Sequence, residues 1–81
     1  MDIDYDSPER PSQQIAGWIR GRIEDGTLTP GRRLPSEAAL QAETGSARTT
    51  IRRAVKLLRD EGRVTTVPGH GSFVAQSPSA G

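Results

Sequence analysis

The segment "ARTTIRRAVKLLRDEGR", residues 47–63, carries six cations, Arg48, Arg52, Arg53, Lys56, Arg59 and Arg63, against two carboxylates, Asp60 and Glu61. A guanidinium fork near the start of a helix can bond O6 and N7 of a guanine in bidentate fashion, which discriminates against the wrong base by roughly 1–3 kcal/mol. Cations further along a helix suit phosphate oxygens, which hold a chain on a polyanion without reading it. Thr49 and Thr50 add hydroxyls short enough to bond a phosphate, and methyls that can meet a thymine methyl. Beyond Gly62, "PGHG" joins two β-branched stretches; its Gly69 and Gly71 permit close backbone approach, and His70 brings a titratable ring. Catalytic and metal chemistry lack their parts, because His70 is the sole histidine and there is no cysteine. The reading is therefore a non-enzyme without a cofactor.

These side chains need a helix to aim them. Ile51, Ala54, Val55 and Leu58 recur at the spacing of one helix face, predicting a helix from about Ala47 to Glu61 that stops at Gly62. At 100° per residue, Arg48, Arg52, Lys56 and Arg59 then fall within about 80° of one another, and Thr49 and Arg53 widen that polar sector. Upstream, "PSEAALQAETG" predicts a short helix with Ser36 as N-cap, Glu37 at the positive dipole end, Leu40 buried and Gly45 as terminator. "PSQQIAGWIRGRIEDG" predicts another, started by Pro11 and ended by Gly26, with Ile15, Ile19 and Ile23 as its stripe and Trp18 on its edge. "VTTV" and "SFVA" read as a β-hairpin with a loop of about four residues, and a short extra strand is expected near Arg33-Leu34. The expected core is Ile15, Ile19, Ile23, Leu28, Leu34, Leu40, Ile51, Val55, Leu58, Val64 and Phe73.

Bulk composition narrows the classes. The chain has 81 residues, 32% hydrophobic and 4% aromatic, which leaves little apolar surface for a large ligand cavity. Net charge is only +1, but Asp2, Asp4, Asp6 and Glu9 crowd the first nine residues without a cation, so positive charge concentrates in the remainder. The organisation expected is a flexible acidic arm over 1–10, one domain over 11–75 and a flexible tail or linker over 76–81. Apolar runs are far shorter than the ~20 residues of a membrane span, and the acidic start is unlike a signal peptide. No membrane partner is expected, and the absence of cysteine fits a cytoplasmic location.

Two helices separated by a tight turn at Gly45, the second one basic, imply a helix-turn-helix, whose second helix enters the major groove with its first residues at base edges. "GTLTPGRRLPSEAAL", "GSARTTIRRAVKLLRDEGRV" and "GHGSFV" together closely resemble the winged helix-turn-helix domain of the GntR family of bacterial transcription regulators, over about residues 11–74. The resemblance implies an α+β, mainly α fold: a three-helix winged helix-turn-helix with a C-terminal two-stranded β-hairpin wing. It also implies sequence-specific binding to a double-stranded DNA operator, repression by promoter occupancy, and a homodimer on a palindromic site. Arg48, Thr49 and Arg52 match the family's recognition-helix contacts, and Gly69 matches its wing glycine. Three positions depart from the pattern. Ser46-Ala47 stands where Val-Ser is usual, so a cap hydroxyl is missing; Ala38 replaces a frequent Arg or Lys; His70 replaces a frequent wing Arg. Family members usually continue into a ligand-binding and dimerising domain, so no small-molecule effector site is expected within this chain.

The candidate DNA contacts are Ser36, Arg48, Thr49, Thr50, Arg52, Arg53, Lys56, Gly69, His70 and Gly71. The plain reading of a cationic helix face is a solvated surface. One rival is a winged-helix protein-docking module with only non-specific DNA affinity. An RNA binder is the other, and it lacks the exposed aromatics that stack unpaired bases.

Overall fold

The computed structural model describes residues 1–75, so the tail expected over 76–81 lies outside the described residues. Three helices, α1 (Pro11–Glu24), α2 (Glu37–Thr44) and α3 (Arg48–Asp60), precede an antiparallel hairpin of β1 (Val64–Val67) and β2 (Gly71–Val74). The fold is a winged helix-turn-helix.

Pro11 opens α1 where a missing N–H is no loss, and Gln13 Oε1 reaches back to accept from the Arg10 N–H at 2.9 Å. The helix buries Ile15, Ala16 and Ile19 against α3, while Ile23 and Trp18 are only half-buried at the edge. Ser36 caps α2 by accepting from the Ala39 N–H at 3.1 Å, and Gly45 ends it in the left-handed region at φ 72°. Only three residues, Gly45 to Ala47, separate α2 from α3. Thr44, buried at 7% exposure, closes that turn: its Oγ1 donates to the Leu40 carbonyl at 2.8 Å and accepts from the Ser46 N–H at 3.2 Å. The cap of α3 is Ala47, which offers no side-chain acceptor, and Ser46 does not substitute, since its Oγ is buried without a partner.

The core consists of Ile15, Ala16, Ile19, Leu28, Leu34, Leu40, Ile51, Ala54, Leu58, Val64 and Val74. Three expected members are displaced. Ile23 and Val55 flank the core, and Phe73 is half-buried outside it. The hairpin register explains Phe73. Val64 pairs with Val74 and Thr65 with Phe73, and side chains on a strand alternate faces, so Val74 takes the inward position. The loop is also tighter than expected. The His70 N–H donates to the Val67 carbonyl at 2.9 Å across Pro68-Gly69, with Gly69 at φ 80° as a type II turn requires. β2 therefore starts at Gly71, leaving three residues between the strands.

The extra strand near Arg33-Leu34 exists as a single bridge, Arg33 to Phe73. It is extended by bonds from Leu34 N–H to Ser72 O (2.8 Å), Val74 N–H to Arg32 O (2.8 Å) and Gly31 N–H to Val74 O (2.9 Å). The α1–α2 connection is thereby stitched to the wing.

The acidic first residues contact the domain at several points. Met1 and Ile3, which alternate with the aspartates, are half-buried against the core. Gln14 holds the backbone from both sides, accepting from the Asp4 N–H at 2.9 Å and donating to the Asp4 and Glu9 carbonyls at 2.8 Å. Behind α3, Arg20 of α1 pairs with Glu61, and Arg63 bridges Glu24 (3.0 Å) and Glu61 (3.3 Å). Among the described residues, no helix is long and apolar enough to cross a membrane.

Candidate nucleic-acid interface

The start of α2, the outer face of α3 and the flank of the wing enclose an open cleft of about 790 Å³. Six cations line it, Arg33, Arg48, Arg52, Arg53, Lys56 and Arg59, against one carboxylate, Glu37. Such an imbalance in a concave surface focuses a positive field on an incoming anion.

Glu37 organises the α3 end of the cleft. Its Oε2 accepts from Arg52 Nε at 3.0 Å, and its Oε1 lies 3.6 Å from Arg48 Nε, so each oxygen holds one fork. The Arg48 and Arg52 side chains remain 60% and 63% exposed. Pairs this wet contribute only about 0.2–1 kcal/mol to stability, so their consequence is orientation. Lys56 is held by Asp60 at 3.0 Å, one turn along. Arg59 Nη1 donates to Thr66 Oγ1 at 3.1 Å, and Thr66 Oγ1 lies 3.0 Å from Ser72 Oγ, which ties the end of α3 to both wing strands. Arg53 has no carboxylate partner among the described residues.

Of the expected contact residues, Ser36, Arg48, Thr49, Arg52, Arg53, Lys56 and Gly71 line the cleft together. Thr50 does not; it is half-buried on the shoulder of α3. Gly69 and His70 are exposed at the wing tip, outside the lining. Beside Gly71 lies the Arg33 side chain: a Cβ at that position would stand 3.0 Å from Arg33 Nε and 3.2 Å from Arg33 Nη2. The cleft also contains Arg33, Glu37, Thr66 and Ser72, which sequence reasoning leaves out, and Arg59, which it reads as a phosphate-positioning or solvent-facing cation. The adjacent cations in "GRRLPSE" were the available signal for Arg33. Nothing local marks Glu37, which reads as a dipole residue of α2.

Comparison with known proteins places this geometry. The family model described as "Bacterial regulatory proteins, gntR family" matches residues 11–74, from the first residue of α1 to the last of β2. The chain is 41% identical over 64 residues to the mannosyl-D-glycerate transport/metabolism system repressor MngR of Escherichia coli (strain K12), covering 79% of this chain and 27% of that protein. It is 45% identical over 64 residues to the histidine utilization repressor of Klebsiella aerogenes, with the same 79% and 27% coverage. The chain thus spans about a quarter of the length of these curated relatives, 27% in each case. Among solved structures, the AraR DNA-binding domain in complex with operator ORX1 superposes with a TM-score of 0.85 at 29% identity, covering 93% of this chain and 95% of that one. With the family model spanning all three helices and the wing, the chain belongs to the GntR family of bacterial regulatory proteins.

Proposed function

We propose that the chain is a sequence-specific reader of duplex DNA that acts in transcriptional control, as a repressor occupying a promoter in the cytoplasm. The observation that carries this reading is the cleft, with six cations facing one carboxylate and the exposed first turns of α3 at its centre. The repressor names of the relatives and the operator in the AraR complex support it. α3 enters the major groove, where Arg48 and Arg52 read guanine edges and Thr49 touches a base methyl or a phosphate. Arg53, Lys56 and Arg59 bind phosphates and set the register. The Ser36 hydroxyl accepts from the backbone, which leaves its hydrogen free to donate to a phosphate at the start of α2. The exposed wing tip, with Gly69 and His70, meets the backbone or minor groove. One module reads few base pairs, so two copies on an inverted repeat form the working complex.

The test compares Arg48→Ala, Arg52→Ala and Arg59→Ala. The first two should relax base preference by roughly 1–3 kcal/mol at particular positions, whereas the third should weaken all duplexes alike and reduce the salt slope by about one. Equal effects from all three would remove base readout and leave a protein-docking module with general polyanion affinity.

A further inference from the structure

We propose that Arg33, outside α3 altogether, anchors a second phosphate seat at the junction of the wing and the α1–α2 connection. The seat rests on the DNA-binding reading above and adds a backbone contact to it. Arg33 is exposed, and its guanidinium lies along the backbone of Gly71, with Nε and Nη2 at 3.0 and 3.2 Å from where a side chain at Gly71 would begin. Its own backbone is pinned to β2 by the bridge to Phe73 and by the neighbouring bonds of Arg32 and Leu34. Among the described residues no carboxylate pairs with it. A guanidinium that sits beside a glycine backbone, exposed and with no carboxylate to neutralise it, is free to grip a pair of phosphate oxygens.

The neighbours complete the seat. Ser72 follows Gly71 on β2, and its hydroxyl shares a hydrogen bond with Thr66, which in turn accepts from Arg59. Of the two hydroxyl hydrogens, the Thr66–Ser72 bond uses one, so the other remains to donate. Arg33, Ser72, Thr66 and Arg59 all line the same cleft, so the Arg33 guanidinium, one wing hydroxyl hydrogen and the Arg59 guanidinium face the same space. The occupant is a backbone phosphate of the duplex whose bases face α3, because these groups line the same cleft as the α3 cations. Contacts of this kind are blind to sequence. Such a contact fixes how deeply the wing side of the domain settles on the DNA.

The experiment measures affinity by fluorescence anisotropy for two duplexes of equal length, one enriched by the wild type from a random pool and one unrelated, across a range of potassium chloride concentrations. Arg33→Ala should weaken both by a similar factor, on the order of tenfold, and lower the slope of log K against log[salt] by about one. Arg33→Lys, which keeps the charge, should retain the slope, and Arg32→Ala should change neither quantity. A full slope in Arg33→Ala while the wild type binds normally overturns the seat alone. Loss of slope in Arg33→Lys equal to that in Arg33→Ala also overturns it, assigning Arg33 to wing packing. A wild type that enriches no duplex from the pool and does not bind the unrelated one even at low salt overturns the DNA-binding reading and the seat with it.

Discussion

Glu37 Oε2 accepts from Arg52 Nε at 3.0 Å although the two residues lie 15 positions apart and on different helices. The other oxygen of the same carboxylate faces Arg48 at 3.6 Å. One acidic side chain in the first turn of α2 thus sets the direction of both arginines at the start of α3. A carboxylate in a cleft meant for phosphates is a like charge to the ligand, so its presence opposes non-specific binding while it aims the two forks.

Glu37→Gln separates these effects. The variant should bind an unrelated duplex more tightly than wild type, because a repelling charge is gone, and discriminate less between that duplex and the preferred one. Thermal stability should move little, since exposed pairs contribute about 0.2–1 kcal/mol. Competition binding with the two duplexes measures both changes. Affinities falling in parallel on both would show that Glu37 merely supports the fold.

Ala47→Ser should stabilise the domain. The backbone at 47 already has the extended conformation of an N-cap, φ −68° and ψ 155°, and lacks only the acceptor. Supplying it should add about 0.5–2 kcal/mol, read from the urea midpoint. Ser46→Ala should be neutral or slightly stabilising, because the hydroxyl it removes is buried and unpartnered. A large loss in Ser46→Ala would mean that the hydroxyl has a partner the geometry does not reveal.

The first two helices are legible because they declare ends locally: Pro11, the Ser36 cap and Gly45 are read within one turn of sequence. The cationic face of α3 was legible from the same 3.6-residue period that buries Ile51, Ala54 and Leu58. What failed was non-local. Phe73 looked like core by its size, yet its pairing with Thr65 depends on a register that one residue of loop length alters. Arg33 and Glu37 belong to the cleft only because the chain brings the α1–α2 connection onto β2 and the start of α2 beside α3. Among the acidic first residues charge is the only local signal, and the half-burial of Met1 and Ile3 depends on the distant core they meet.

Acid sensitivity should trace to Glu61. The Arg20 guanidinium that bonds it holds its carboxyl below the usual range, opposed by partial burial and helped by Arg63. A folded-state value below the unfolded one contributes stability that is present above the unfolded value and is lost as pH falls through the folded one. Glu61→Gln should therefore cost stability at pH 7. With a side chain 36% exposed, solvent screening limits that cost to about 0.2–1 kcal/mol. The gap between variant and wild type should begin to shrink as pH falls below the ordinary glutamate value of about 4.3 and vanish below the lowered folded-state one. Urea midpoints across that range measure it, and a gap independent of pH would assign the loss to packing.

Gly71→Ala should damage the wing in two ways. Its φ of 109° is a conformation that L side chains rarely adopt, with a cost of about 1–3 kcal/mol, and the new methyl would displace Arg33. Stability and DNA affinity should fall together, unlike Arg33→Ala, where affinity alone should fall. Denaturation and anisotropy on the two variants make the comparison; full affinity in Gly71→Ala would contradict the placement of Arg33 in the cleft.

The central claim is that α3 reads bases, and selection of bound duplexes from a random pool, run in parallel for wild type and Arg48→Ala, tests it most directly. The account predicts a guanine-containing motif for the wild type, arranged as an inverted repeat, that blurs at one position per half-site in the variant. No enriched motif even at low salt, or an identical motif from both proteins, would contradict base readout by Arg48.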